Sequence, residues 1–317
     1  MEPVVGGVAF LPGRNDSGRI VIHGRSIEIS GAAMRDYIEL TKPTITWLIL
    51  GSTAVGYYFG LGGGDVRWLA LFHTLLGTAL LASGTATLNE WYERDSDAKM
   101  RRTAARPIPS GRVRPGRALV FGLALSALGF ADLALEVNRV AALCGAVTLA
   151  TYLLLYTPLK QRTRHATTIG AFPGAMPPLI GFAAAAGHLT AQAWALFAIL
   201  FLWQFPHFLA IAWMYREDYG RAGIVMLPVV EPDGRSTARQ IVIASLLLIP
   251  ASLAPALLHM TGTLYLFGAM ALGAAFASAG LRVAFERTRP RARQVLLASV
   301  IYLPLLYGLM LLDGPRL

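Results

Sequence analysis

Asn89, Glu93 and Asp97 stand at positions i, i+4 and i+8 of a 317-residue chain. Each four-residue step turns an α-helix by about 40°, so on a continuous helix the three share one face. Two carboxylates and an amide are hard oxygen ligands of the kind Mg²⁺ takes. They spread over about 12 Å of helix axis, which suits two ions, or one ion with bridging waters, better than one ion touching all three. Arg101, Arg102 and Arg106 follow at once. A metal site beside guanidinium groups suits a magnesium–diphosphate, whose charge the ion and the arginines divide. The pattern alone fits a second account equally well: a solvated juxtamembrane helix with ion pairs such as Asp97–Arg101 and Asp95–Lys99.

Two further groups carry chemistry. Tyr215-Arg216-Glu217-Asp218-Tyr219-Gly220-Arg221 is a charged cluster that by itself reads as a solvated loop. Trp203-Gln204-Phe205-Pro206-His207-Phe208 puts a proline and a histidine inside an apolar stretch, where each needs a reason. His207 could hold a substrate group, act as a base, ligate iron or bond a neighbouring helix. The remaining histidines, His23, His73, His165, His188 and His259, have no metal-site spacing. The lone cysteine, Cys144, excludes an internal disulfide and a cysteine-rich metal centre.

The elements that must position these residues are membrane helices. Hydrophobic residues make up 55% of the chain and charged ones 15%, with a mean hydropathy of +0.53; soluble domains carry about 25% charged residues. The apolar residues come in blocks long enough to cross about 30 Å of hydrocarbon as helices. They do not alternate as barrel strands do. Nine spans are predicted, at 45–62, 68–90, 118–136, 140–156, 166–187, 192–214, 239–260, 263–282 and 294–313. Residues 1–33 read as a flexible cytoplasmic tail without a signal-peptide core, and 34–317 as one all-α, multi-pass domain. Of the 28 Lys and Arg, only Arg67, Arg139 and Arg316 fall on one side of this topology. The others place the N-terminus in the cytoplasm and the C-terminus outside. The net charge of +10 is therefore topology, and nucleic acid is not the expected partner. All the chemistry-bearing clusters face the cytoplasmic side. None of the 18 Asp and Glu lies at the centre of a span, which disfavours an ion-coupled transporter.

At these residues the chain resembles the UbiA-type intramembrane prenyltransferases, and within them the branch that modifies heme. The resemblance covers about residues 35–313. It is carried by Leu40-Thr-Lys-Pro43, Asn89-Glu-Trp-Tyr-Glu93-Arg-Asp-Ser-Asp97, Arg106-Pro-Ile-Pro-Ser-Gly111 and Tyr156-Thr-Pro-Leu-Lys160-Gln-Arg162-Thr. Gly174-Ala-Met-Pro-Pro-Leu-Ile-Gly181, Trp203-Gln-Phe-Pro-His207-Phe and Asp218-Tyr-Gly-Arg-Ala-Gly223-Ile-Val-Met-Leu-Pro228 complete it. It implies about nine helices around a central cavity open to the cytoplasmic side. The Ala/Gly-rich composition and the absence of a convincing transit peptide favour a bacterial inner membrane, with a mitochondrial one as the alternative. The implied reaction is Mg²⁺-dependent transfer of farnesyl from farnesyl diphosphate to the 2-vinyl group of heme b, completed by water to give heme O. In that frame Asn89, Glu93, Asp97 and Asp218 hold the metal. Lys42, Arg101, Arg102, Arg106, Lys160 and Arg162 bind diphosphate, and His207 contacts heme. The implied partners are farnesyl diphosphate, heme b, the lipid bilayer and a downstream heme-modifying enzyme or oxidase assembly factor.

Two departures stand out. Glu93 occupies a position where the family commonly has Asp. Tyr215 and Tyr219 occupy the places of a common Asp-x3-Asp second motif, leaving Glu217 and Asp218. A quinone precursor is an alternative acceptor, and a heme carrier that performs no transfer is the alternative outside catalysis.

The charge asymmetry makes a direct prediction. A topology reporter fused after Leu317 should behave as external and one inserted between residues 91 and 117 as internal; the opposite pattern would sink the orientation.

Overall fold

The computed structural model describes residues 19–22, 25–28 and 31–314. Arg14, His23, Arg316 and most of the predicted tail lie outside the described residues. Within the stretch expected to be a featureless tail, β1 (Arg19–Ile22) pairs antiparallel with β2 (Arg25–Glu28), and a helix already starts at Gly31.

From there the described residues are helical. α1 (Gly31–Leu40) is short. α2 (Pro43–Gly60), α3 (Trp68–Asp97), α4 (Pro115–Val137), α5 (Arg139–Leu159), α6 (Ala166–Ala186) and α7 (Ala191–Met214) are long. Two short helices, α8 (Arg216–Arg221) and α9 (Leu227–Val230), precede α10 (Arg235–Leu257), α11 (Thr263–Phe285) and α12 (Arg289–Leu312). Eight of them are long and apolar enough to cross a membrane. The first predicted span, 45–62, coincides with α2, whose 18 residues give about 27 Å of length. Its Thr, Ser, Gly and Tyr residues make it less apolar than the others.

Helices in lipid gain nothing from exchanging one apolar neighbour for another, so close packing through small residues must hold them together. α2 meets the second half of α6 in this way. A Cβ on Gly56 would strike the Pro178 carbonyl, one on Gly60 would lie 2.6 Å from the Phe182 carbonyl, and one on Gly181 would strike that of Thr53. α3 meets α4 through Gly77, Gly84, Gly122 and Gly129. α7, α10, α11 and α12 complete the other side of the bundle. Hydroxyls inside the spans return their hydrogen bonds to the carbonyl four residues back, as Thr53, Thr74, Thr85 and Thr148 do.

Three spans depart from regular geometry. α4 widens to π-helical turns over Leu133–Val137, and α5 over Thr151–Tyr156. α6 breaks between Ala166–Gly174 and Pro177–Ala186, where consecutive prolines cannot donate to the preceding turn.

The small-residue seam can be tested. Gly181→Val should lower thermal stability in detergent by about 1–3 kcal/mol through overpacking. Gly51→Ala, on α2 but with nothing within 4 Å of its added Cβ, should be neutral. Equal melting points for the two variants would remove the seam as a determinant of the fold.

Candidate active site

α3 runs unbroken to Asp97, so Asn89, Glu93 and Asp97 do share a face. They are not solvated: exposure is 3%, 3% and 1%. That settles the choice between the two sequence readings against a water-facing helix with i,i+4 pairs. Asp97 pairs with Arg106, Nη1 to Oδ2 at 2.6 Å, rather than with Arg101. Glu93 pairs with Lys160, Nζ to Oε1 at 2.6 Å. Asn89 donates from Nδ2 to the Thr157 hydroxyl at 3.2 Å. Removing one member of a buried pair leaves an uncompensated charge and costs about 3–5 kcal/mol.

Each partner is delivered by a local feature. The wide turns of α5 end at Thr157, whose hydroxyl donates to the Tyr152 carbonyl, and Lys160 follows within the next turn. Such π-type turns are a recurrent way to re-aim side chains at functional sites. Lys160 is 15% exposed and lies over the Tyr156 ring. Burial works against its charge, but Glu93 more than offsets this and holds the ammonium above the usual lysine range. Arg106 is placed by the loop between α3 and α4. That loop folds back on α1 through Ile108 and Val113, which are buried with Leu40 and Ala118.

Glu90 was not among the residues singled out by the four-residue spacing, although at 100° from Asn89 it lies within about 20° of Asp97 on the helix. It is 1% exposed, and Lys42 and Arg106 are the cations nearest in effect to it. Its Oε1 has no hydrogen-bond partner, and neither has Oδ1 of Asp97. The clue in the sequence was a carboxylate directly beside Asn89 and, by helical angle, close to Asp97. Lys42 stands between α1 and α2 with φ 47° and ψ 60°, a left-handed conformation that side chains other than glycine seldom adopt. Burial and the Arg106 guanidinium lower its ammonium to about 8, against the pull of Glu90 and Glu93.

The second charged cluster is joined to the first. Met100 is buried with Ala222 and Ile224, so the loops after α3 and α7 share a small core. Arg102 lies over the Tyr215 and Tyr219 rings, at 5.1 and 5.6 Å, and donates to the Tyr219 hydroxyl. The two tyrosines that replace the common second acidic motif thus serve as a cradle for an arginine. Arg101 borders a hollow of about 200 Å³ together with Glu217, Asp218 and Arg221. Asp218 is paired with Arg221, and Glu217 with Arg289. Arg162 is exposed and is not brought into contact with either cluster.

His207 lies seven residues before the end of α7, about 10 Å from it along the axis. The helix continues through Pro206. Nδ1 of His207 is 2.8 Å from the Ser299 hydroxyl on α12, and the ring stacks on Trp203 at 4.7 Å. Trp203 donates from Nε1 to the Ser299 carbonyl at 2.8 Å. Gln204, one position on, is buried and ties the α6 break to α7 through the Ala171 carbonyl. At the opposite end of the bundle, His73 contacts Asp132, with Nδ1 and Oδ1 2.8 Å apart.

The acidic face fits a hard divalent cation. Two buried carboxylate oxygens, on Glu90 and Asp97, lack any proton donor, and oxygen ligands are what Mg²⁺ requires. Among the described residues no three His, Cys, Asp or Glu converge on a single point. Mg²⁺ usually keeps several waters and takes one or two carboxylates plus substrate phosphates, and this arrangement allows that.

Comparison with known proteins agrees with this geometry. A curated relative from Solibacter usitatus (strain Ellin6076), named protoheme IX farnesyltransferase, is 65% identical over 292 residues, 90% of this chain and 100% of the relative. A second of the same name, from Koribacter versatilis (strain Ellin345), is 49% identical over 88% of this chain and 93% of its own. Among solved structures, that of digeranylgeranylglyceryl phosphate synthase superposes with a TM-score of 0.76 at 18% identity, covering 90% of this chain and 99% of that one. A UbiA homolog from Archaeoglobus fulgidus bound to GPP and Mg²⁺ gives 0.60 at 16% identity, covering 87% and 99%. At such identities these structures speak for the fold. Residues 49–303 match the UbiA prenyltransferase family across its helical domain, and the chain belongs to that family.

Proposed function

We propose that this protein transfers the farnesyl group of farnesyl diphosphate to the 2-vinyl group of heme b in a bacterial inner membrane, its N-terminus in the cytoplasm. The observation that carries the reading is the buried acidic face of α3, ringed by Lys42, Arg106 and Lys160, in a chain 65% identical to a protein named protoheme IX farnesyltransferase. The reaction breaks the bond between C1 of farnesyl and the diphosphate oxygen. The vinyl π electrons form the new carbon–carbon bond, and the carbon left electron-poor beside the porphyrin takes hydroxide from water, releasing a proton.

Asn89, Glu93 and Asp97, with Asp218 and Glu90, are the residues that would hold Mg²⁺. The ion would supply charge neutralisation on the leaving diphosphate; that a homolog of this fold from Archaeoglobus fulgidus is bound to GPP and Mg²⁺ supports a metal-dependent reaction. Lys42, Arg106 and Lys160 stand where the diphosphate needs cations. Arg101 and Arg102 flank it from the loop shared with the second cluster, and Arg162 is the outermost candidate. Preorganised cations in a site with little water stabilise developing negative charge strongly. The surrounding apolar helices keep water from an allylic cation. Tyr156 and Trp203 present aromatic faces to such a charge. His207 stands about 10 Å inside the end of α7 and is assigned to the heme.

The deciding experiment incubates the purified protein with farnesyl diphosphate, heme b and Mg²⁺ and takes a mass spectrum of the porphyrin. Heme gaining a hydroxyethylfarnesyl chain is expected. An untouched heme beside a prenylated quinone precursor, or no transfer at all, would overturn the reading.

Asp97→Asn should lower turnover by on the order of 10²–10³-fold. A chelator should abolish turnover of the unaltered protein, and Mg²⁺ should restore it. Because Asp97 is buried against Arg106, the melting point must be followed in parallel. Near-normal turnover in a folded Asp97→Asn protein would leave α3 with a structural role only.

A further inference from the structure

The hydrogen bonds around His207 fix more than its position. The Ser299 hydroxyl lies 2.6 Å from the carbonyl of Leu296, one turn back on α12. A carbonyl has no proton to offer, so at that separation the hydroxyl proton must point to it. A serine has only one such proton. The same oxygen lies 2.8 Å from Nδ1 of His207, so there it can only accept. Nδ1 must then carry the ring proton.

From this geometry we infer that Ser299 is a positioning residue: it holds His207 as the Nδ1–H tautomer, so that the lone pair of Nε2 is the atom offered to the heme iron. The plane of the ring is held as well. Its face is stacked on Trp203, and Trp203 is fastened to the carbonyl of the same Ser299. Ser299 is itself fully buried, so water does not compete for the hydroxyl. Nε2 has no hydrogen-bond partner among the described residues, and it is not one of the polar atoms sealed inside the protein. One serine thus sets the tautomer through its side chain and the stacking partner through its backbone. Metal-ligating histidines generally have their other ring nitrogen fixed by such a second group, which sets tautomer and aim together.

The inference rests on the assignment of His207 to heme, and two measurements keep the two apart. The first needs no heme. In full-length protein with ¹⁵N-labelled histidine, with the His207 signal identified from a His207→Gln sample, nitrogen shifts should show Nδ1 as pyrrole-type and Nε2 as pyridine-type. In Ser299→Ala the Nε2–H form should appear, and Ser299→Thr should restore the original pattern. The second is titration of the same proteins with ferric heme b, followed by its Soret band. Ser299→Ala should weaken binding about tenfold or more, as loss of a second group behind a metal ligand does. It should also shift the band, and Ser299→Thr should recover both.

An Nε2–H ring in the unaltered protein, or a tautomer indifferent to Ser299→Ala, would overturn the inference whatever heme does. Weaker heme binding in His207→Gln with none in Ser299→Ala would overturn the role of Ser299 and leave His207 as the heme contact. Heme affinity unchanged in both variants would withdraw the assignment of His207 and reduce the bond to Ser299 to helix packing.

Discussion

Three carboxylates stand almost completely out of water on about two turns of α3, at the end of a helix that spans the membrane. An ionised carboxylate in such a place costs several kcal/mol unless it is paired. Much of the surrounding architecture answers that demand. The turn between α1 and α2 supplies Lys42, the fold-back of the following loop supplies Arg106, and the widened end of α5 supplies Lys160. Three acids and three bases leave the cluster close to neutral, so it holds together in a poorly polar setting. A diphosphate entering there brings negative charge that these bases alone cannot absorb while still serving their acids, and a divalent cation redresses the balance.

The opposite end of the bundle solves a different problem, with one guanidinium and one amide. The last carbonyls of α6 point toward the outer rim, where a helix leaves acceptors unsatisfied. Arg67 donates to the Ala184 and Ala185 carbonyls, and Asn138 to those of Ala183 and Ala184. Both residues also open or precede neighbouring helices, so the ends of three spans are tied at one place. The molecule is stitched at one end and charged at the other.

The spans and the acidic face were legible because both are local. Hydrophobic blocks of membrane length and a four-residue spacing survive without knowledge of any partner. What lay beyond the sequence was which charge meets which. Asp97 has Arg101 one turn away, yet it pairs with Arg106, because the loop between them folds onto Leu40 and Ala118, residues distant in the chain. Glu90 falls outside the four-residue spacing, and its closeness to Lys42 depends on the turn between α1 and α2. Tyr215 and Tyr219 read as gaps in an acidic motif, whereas they receive Arg102 from across the bundle. Ser299 carries no signal at all: a serine in an apolar span is common, and its meaning comes only from His207, 92 positions earlier. The short hairpin before Gly31 escaped for the opposite reason, since four-residue strands leave almost no pattern.

Lys42 has a consequence for how this site was paid for in conformational energy. Left-handed backbone at a side-chain-bearing residue carries a cost of order 1–3 kcal/mol, and Pro43 after it narrows the choices further. Glycine would relieve that strain and remove the ammonium together. Selection for a sturdier fold and selection for a working site therefore pull in opposite directions at this one position. The lysine marks a place where the protein is less stable than its own backbone would allow.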